Sequence, residues 1–170
     1  MTERDRPLSG HEDRAREYRH ALGRFPTGVA FVAARAPDGE AAGLLINSFT
    51  SVSLTPPMVL WCLGLAARSR PVFAAAPSFA VSILSEDQRS LLGALARPLE
   101  RRLLGVPTRD GIGGAPVIEN AAAVFECTIA TVTRAGDHEV YLGQVEHFER
   151  RDDTPLAYLA GQYGRVQVAA

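Results

Sequence analysis

A mainly β fold with a few peripheral helices, closed as a barrel and not spread as a Rossmann sheet, is what this sequence predicts. Apolar stretches of strand length recur at 28–36, 40–47, 58–65, 78–84, 122–135 and 138–151. Tight-turn residues join neighbouring stretches, Pro37-Asp38-Gly39 in one case and Gly136-Asp137 in another. No regular alternation of strand and helix occurs, which a parallel βαβ sheet would require.

The elements follow in order. From His11 the pattern is helical, with Tyr18, Leu22 and Phe25 at i, i+4, i+7 on one face, and Pro26-Thr27-Gly28 ends it. GVAFVAARA and EAAGLLIN read as a hairpin about the Pro-Asp-Gly turn. MVLWCLGL (58–65) is too apolar for a strand with one wet face. A short helix follows, with Ser69 as N-cap and Val72, Phe73 and Ala76 facing inward. After the strand SFAVSIL, Ser85 and Gln88 have the spacing of a capping box, opening a helix with Leu91, Leu92 and Leu95 and an arginine-rich stretch to Arg102. Glycines and prolines make 105–116 a loop. Two long strands meet at Gly136-Asp137, and a short one lies at Leu156–Leu159.

Composition narrows the function. At 170 residues the chain predicts a loose N-terminus (1–10) and a single domain (11–170). Hydrophobic residues are 46% and charged residues 22%, which excludes disorder and fibre. Net charge is −1, so a broad nucleic-acid footprint is not expected. All 18 basic residues are arginine, which excludes Schiff-base chemistry and a lysine-bearing phosphate loop. No apolar run approaches the roughly 20 residues of a membrane span, and the polar start is unlike a signal peptide. A cytoplasmic protein is expected.

Few residues point to chemistry directly. The histidines (His11, His20, His138, His147) lack metal-ligand spacing, so no metal is expected. There is no GxSxG motif. Cys62 and Cys127 sit in apolar strands, as buried thiols do. The hydroxyl-rich segment 48–57 is either a solvated strand edge or a donor array for a polar planar ligand or a phosphate. Arg68 and Arg70 are near enough in sequence to add charge. Gly136-Asp137-His138 is either plain hairpin chemistry or a turn that aims a histidine into a cleft.

Four segments together, GLLINSFTSVSLTPPMVLWCL, SFAVSILSEDQ, GDHEVYLGQV and PLAYLAGQYG, resemble the short-chain flavin reductases, the reductase components of two-component flavin-dependent monooxygenases. The similarity runs from about Tyr18 to Gly164, in the family's order. It implies an FMN-binding split β-barrel of Greek-key type, usually a homodimer. It also implies an NAD(P)H:flavin oxidoreductase, in which NADH or NADPH reduces FMN or FAD and the reduced flavin leaves for a partner oxygenase. The cofactor then carries the chemistry while the protein orients two rings.

By position, the resemblance implies flavin contacts at Ile46, Asn47, Ser48, Phe49, Thr50, Ser51 and Ser53. It continues them at Trp61, Cys62 and Leu63, at Arg68 and Ser69, and at Ser82, Leu84, Ser85 and Gln88. His138, with Asp137 before it, matches the histidine that faces the nicotinamide nucleotide, and Tyr163 an aromatic residue of the same cleft. The pattern departs at Leu45, Ala67 and Ser82, where the family often has polar groups, and at Leu103. Those changes also suit a barrel repurposed for a non-redox or self-contained step on a small metabolite, or a flavin carrier without turnover.

Overall fold

The computed structural model describes residues 10–97 and 103–167. Most of the expected loose N-terminus, and residues 98–102 of the arginine-rich stretch, lie outside the described residues. A helix α1 (His11–Leu22) leads into β1 (Thr27–Gly28), β2 (Ala30–Arg35), β3 (Ala41–Ile46), β4 (Thr50–Leu54) and β5 (Pro57–Gly64). Helix α2 (Arg70–Ala75) and β6 (Ser78–Ile83) follow, then a 3-10 stretch (Glu86–Leu91) running into α3 (Leu92–Leu95). The remainder is β7 (Thr108–Asp110), β8 (Pro116–Ile118), β9 (Ala123–Ala135), β10 (His138–Arg150), β11 (Leu156–Leu159) and β12 (Gln162–Arg165).

Seven strands form one antiparallel sheet in the order β3-β2-β6-β9-β10-β5-β4. Its outermost strands, β3 and β4, are consecutive in the chain and separated only by Asn47, Ser48 and Phe49. Laid flat, seven strands would hold these edges about 29 Å apart. The connection from Ile46 to Thr50 reaches at most about 14 Å. The sheet must therefore roll until its edges meet, which makes it a barrel split along β3 and β4, as the sequence predicts.

The barrel interior is apolar. Trp61 stacks on Tyr141 with ring centroids 4.6 Å apart, and meets Phe73 and Phe79 edge-on. Alternate residues of β2 serve two cores: Ala30, Val32 and Ala34 point inside, while Phe31 and Ala33 join Leu84, Leu95, Ile118 and Leu156 outside. Burial on both faces explains the unbroken apolar run there. The capping box forms, with Ser85 N donating to Gln88 Oε1 at 3.2 Å.

The helix expected from His11 forms, and Tyr18, Leu22 and, just beyond its end, Phe25 are 65%, 55% and 75% exposed. Three expectations need correction. β5 alternates, burying Val59, Trp61 and Leu63 while Met58, Leu60 and Cys62 are half-buried, because its outer face lacks a covering layer. The 105–116 loop contains β7, a 3-10 turn (Ile112–Gly114) and the start of β8. Those strands are too short for periodicity to register, and Ile112 N is anchored by Glu126 Oε2 at 2.6 Å. Last, GQYGRV continues as β12, paired with β11.

Gly143 shows how tightly the barrel wall is packed. A methyl group there would collide with the Phe79 ring and approach Cys127 Cβ to 2.9 Å. Gly143→Ala is expected to cost about 1–3 kcal/mol, read as a lower urea midpoint at unchanged m-value. An unchanged midpoint would contradict this packing.

Candidate functional site

The corner that closes the barrel also presents polar groups. Ser48 stands where the β4–β5 ladder runs out, and its Oγ accepts Cys62 N at 3.0 Å, so a hydroxyl replaces a backbone partner. Asn47 is exposed beside it, and Phe49 turns inward to Phe125, with ring centroids 5.3 Å apart. Thr50 and Ser51 are exposed along the edge strand β4, and Ser53 is half-buried. The hydroxyl-rich segment is thus a true sheet edge.

Asn47 borders two cavities. One, of about 950 Å³, lies under α1 and is lined by Arg19, Arg24, Phe25 and Tyr158 among others. The second, of about 170 Å³, is lined by Leu45, Ile46, Tyr158 and Tyr163. Tyr158 and Tyr163 are cross-strand partners with rings 5.4 Å apart. Tyr158, Arg19, Arg24 and Phe25 were not singled out as site residues from the sequence. Folding brings them to Asn47 from two places, Tyr158 from β11 and the other three from α1 and the turn after it.

A second cluster lies at the C-terminal end of β5, two residues beyond the Cys62 that Ser48 bonds. His138 pairs with Gly64 across the β10–β5 ladder, and a methyl at Gly64 would lie 3.7 Å from His138 Nε2. The imidazole is exposed, with Nδ1 2.7 Å from Asp137 Oδ1. That hydrogen bond first, then the imidazole's charge, holds the Asp137 carboxyl below its usual range. With the aspartate's pKa depressed, the interaction is present at neutral pH and fades only as acidification passes below the ordinary carboxylate range. Leu65 N donates to Asp137 O at 2.9 Å, so the segment with exposed Arg68 and buried Ser69 begins against the same turn. Arg70 does not add a loose charge beside Arg68, since its Nη2 donates to Glu139 Oε1 at 2.6 Å.

The remaining positions are buried. Trp61, Leu63 and Leu84 have core side chains and can offer a ligand only backbone. Ile46 is also buried, at the end of β3. Ser82 Oγ accepts Ile118 N at 3.0 Å, Ser85 belongs to the capping box, and Gln88 Nε2 donates to Glu119 O at 2.7 Å. Of the positions that depart from the family pattern, Leu45 lines a cavity, whereas Ala67 packs on the barrel core.

Glu126, His147 and Glu149 come together at a spacing a metal could use. Arg109 already sits among them, 2.9 Å from Glu126 and 2.6 Å from Glu149, and Glu126 also accepts Ile112 N. The carboxylates are satisfied by a guanidinium, so the cluster is an ion-pair network.

Comparison with known proteins adds one decisive observation. The family model described as a flavin reductase like domain matches residues 22–167. The chain belongs to the flavin reductase family. It is 40% identical over 154 residues to a probable flavin reductase of Rhizobium meliloti, covering 91% of this chain but 50% of that protein, so it spans half the relative's length. It is 39% identical to an FMN reductase (NADH) of Agrobacterium fabrum, covering 90% of this chain and 87% of that protein. Among solved structures, a Streptomyces globisporus NADH:FAD oxidoreductase superposes with a TM-score of 0.84 at 35% identity, over 97% of this chain and 94% of that one. Family membership and geometry agree on a mainly β barrel. No helix among the described residues is long and apolar enough to cross a membrane.

The two thiols of this flavin reductase family member differ. Burial pushes Cys127 up to about 12, with the Glu146 and Glu126 charges adding, and burial alone raises Cys62. Cys127 is expected to resist a thiol reagent at pH 8 until the protein is unfolded, with Cys62 reacting first but slowly. Prompt reaction of both thiols in the native state would contradict the burial.

Proposed function

We propose that this protein is an NAD(P)H:flavin oxidoreductase that reduces FMN or FAD and hands the reduced flavin to a partner oxygenase. The observation that carries the reading is family membership over nearly the whole chain, joined to an intact Gly-Asp-His turn and a large cavity at Asn47. The residues fit a flavin nucleotide: Asn47, Thr50 and Ser51 are exposed along the corner and the open edge of β4, and Arg68 is exposed on the turn after β5. The cavity of about 950 Å³ beside Asn47 is in the range of small-molecule sites, and apart from Asn47 it is lined by residues other than these. The flavin, when bound, supplies the acceptor for hydride from the reduced nicotinamide.

The chain's own part is binding and orientation. Backbone at Ile46, Phe49, Trp61, Cys62 and Leu63, with Asn47, would meet the ring edge. Arg68 and Ser69, with the hydroxyls of Ser48, Thr50, Ser51 and Ser53, would meet the flavin phosphate, and Tyr163 would flank the cleft. Ser82, Leu84, Ser85 and Gln88 support the adjoining strand end. Asp137 only accepts, so His138 Nδ1 donates to it, and Nε2 of a neutral ring would be an acceptor. That acceptor is matched to a carboxamide N–H such as nicotinamide carries. No side chain must transfer a proton for hydride to move.

The proposal extends to a single domain over 11–170, working in the cytoplasm, where both cysteines would stay thiols as they are here. It extends also to a homodimer, supported by the exposed Tyr18, Leu22 and Phe25 face beside the larger cavity. The relatives support an oxygenase partner: one is named as the stachydrine N-demethylase reductase subunit of Rhizobium meliloti.

Steady-state oxidation of NADH and NADPH, with FMN and FAD added in turn, tests the reading. Flavin-dependent consumption is expected. His138→Ala should raise KM for the nicotinamide nucleotide by about tenfold, the loss of one hydrogen bond, and leave flavin KM within about twofold. Asn47→Ala should do the reverse. No consumption with any pairing would contradict the proposal and turn attention to Leu45 as the mark of a repurposed pocket.

A further inference from the structure

Arg70 and Glu139 form an ion pair that the nucleotide-binding roles above do not use. Glu139 follows His138 on β10, so the two side chains leave opposite faces of the strand. His138 is exposed over Gly64, whereas the Glu139 side chain is 13% exposed on the side of Tyr141. Arg70 opens α2 directly after Arg68 and Ser69, and its Nη2 lies 2.6 Å from Glu139 Oε1. The charge-assisted bond from Arg70 is the leading reason the Glu139 carboxyl is held below its usual range.

The segment between β5 and α2 is therefore held to the histidine strand at both ends. At its start, Leu65 N donates to Asp137 O at 2.9 Å. At its end, Arg70 reaches Glu139. Between them the chain turns on itself, with Ala67 N bonded to Gly64 O at 2.9 Å and Arg70 N to Ala67 O at 3.0 Å. Without the ion pair, the Leu65 bond and the packing of Phe73 on Tyr141 would remain, and the charged tie to β10 next to Arg68 and Ser69 would be lost.

We infer that Arg70 and Glu139 are positioning residues: their pair fixes the Arg68–Ser69 segment against the strand that carries His138, and so sets the approach of nicotinamide to flavin. The inference rests on the proposed reading of this corner as the flavin and nicotinamide site. Hydride transfer is steep in distance and angle, and a displacement near 1 Å can cost up to about a hundredfold in rate. Each nucleotide keeps its own contacts when the segment shifts. The loss therefore falls on the transfer step more than on binding, which is the opposite of what removing His138 does.

The test compares Glu139→Gln, Arg70→Met and Arg70→Lys with the native protein, using NADH carrying deuterium at C4. In the first two variants kcat is expected to fall about tenfold, with both KM values within about threefold. The isotope effect on kcat should rise as transfer becomes rate-limiting. Arg70→Lys, which keeps the charge, should recover most of kcat. Three results would overturn the inference: unchanged kcat, KM values that rise while kcat holds, or a loss of activity that only tracks the unfolded fraction with the isotope effect unmoved. Should Arg70→Met fail to fold, Glu139→Gln, which keeps the side-chain shape, decides alone: the fall in kcat with a raised isotope effect is expected, and native kinetics in it would overturn the inference. If the native protein consumes neither NADH nor NADPH with either flavin, the functional reading has failed and the inference falls with it.

Discussion

Asn47, Ser48 and Phe49 bridge the two edges of a seven-stranded sheet, and that short corner is the constraint on which the rest of the molecule depends. A chain too short to cross a flat sheet forces it to roll, and rolling encloses the Trp61, Tyr141, Phe73 and Phe79 cluster. The corner cannot at the same time continue either ladder fully. Ser48 Oγ takes over from the backbone at Cys62 N, and Asn47 is left outside with its amide exposed. Polar groups concentrate at the split because this is where the sheet's hydrogen bonding stops. The barrel's architecture thus creates the polar edge at which the flavin nucleotide is proposed to bind.

The second constraint is register. β10 pairs with both β5 and β9, and the Gly136-Asp137 turn fixes where the hairpin begins. In this register His138 faces solvent over Gly64, and Tyr141 sits opposite Trp61 in the interior. A slip of one residue would send His138 toward the core and Glu139 outward, breaking both the aromatic stack and the Arg70 pair. Core packing and site geometry are enforced by the same ladder, so the histidine is precise without being on a loop.

Much of this was legible in the sequence. The β2–β3 and β9–β10 hairpins announce themselves through apolar runs flanking Pro-Asp-Gly and Gly-Asp, and Ser85 with Gln88 marks a cap that the structure contains. The three-residue strands β7 and β8 carry too few residues for a period and depend on Glu126 from a distant strand. The α1 stripe is regular, yet regularity does not say what covers it. In the site, a motif written along a strand marks positions and not faces. The segment Trp61-Cys62-Leu63 alternates between core and half-exposed, so two of its three side chains turn away from any ligand. The ion pair between Arg70 and Glu139 spans two distant elements, and no local pattern signals it. The cavity lining at Tyr158, Phe25 and Arg24 is likewise assembled by topology alone.

This division explains how a chain lacking lysine, a GxSxG motif and a histidine-cysteine metal motif can suit the redox reaction proposed for it. The family's reaction asks the protein for placement, and placement is what the corner, the ladder and the cavity provide. The most direct measurement is a crystal structure of the protein with oxidised flavin and a nicotinamide dinucleotide bound. The account predicts the flavin along Asn47–Ser53 with its phosphate at Arg68 and Ser69, and the nicotinamide turned toward His138. A flavin bound without touching Asn47, Ser48 or Arg68, or a nicotinamide far from His138, would contradict it.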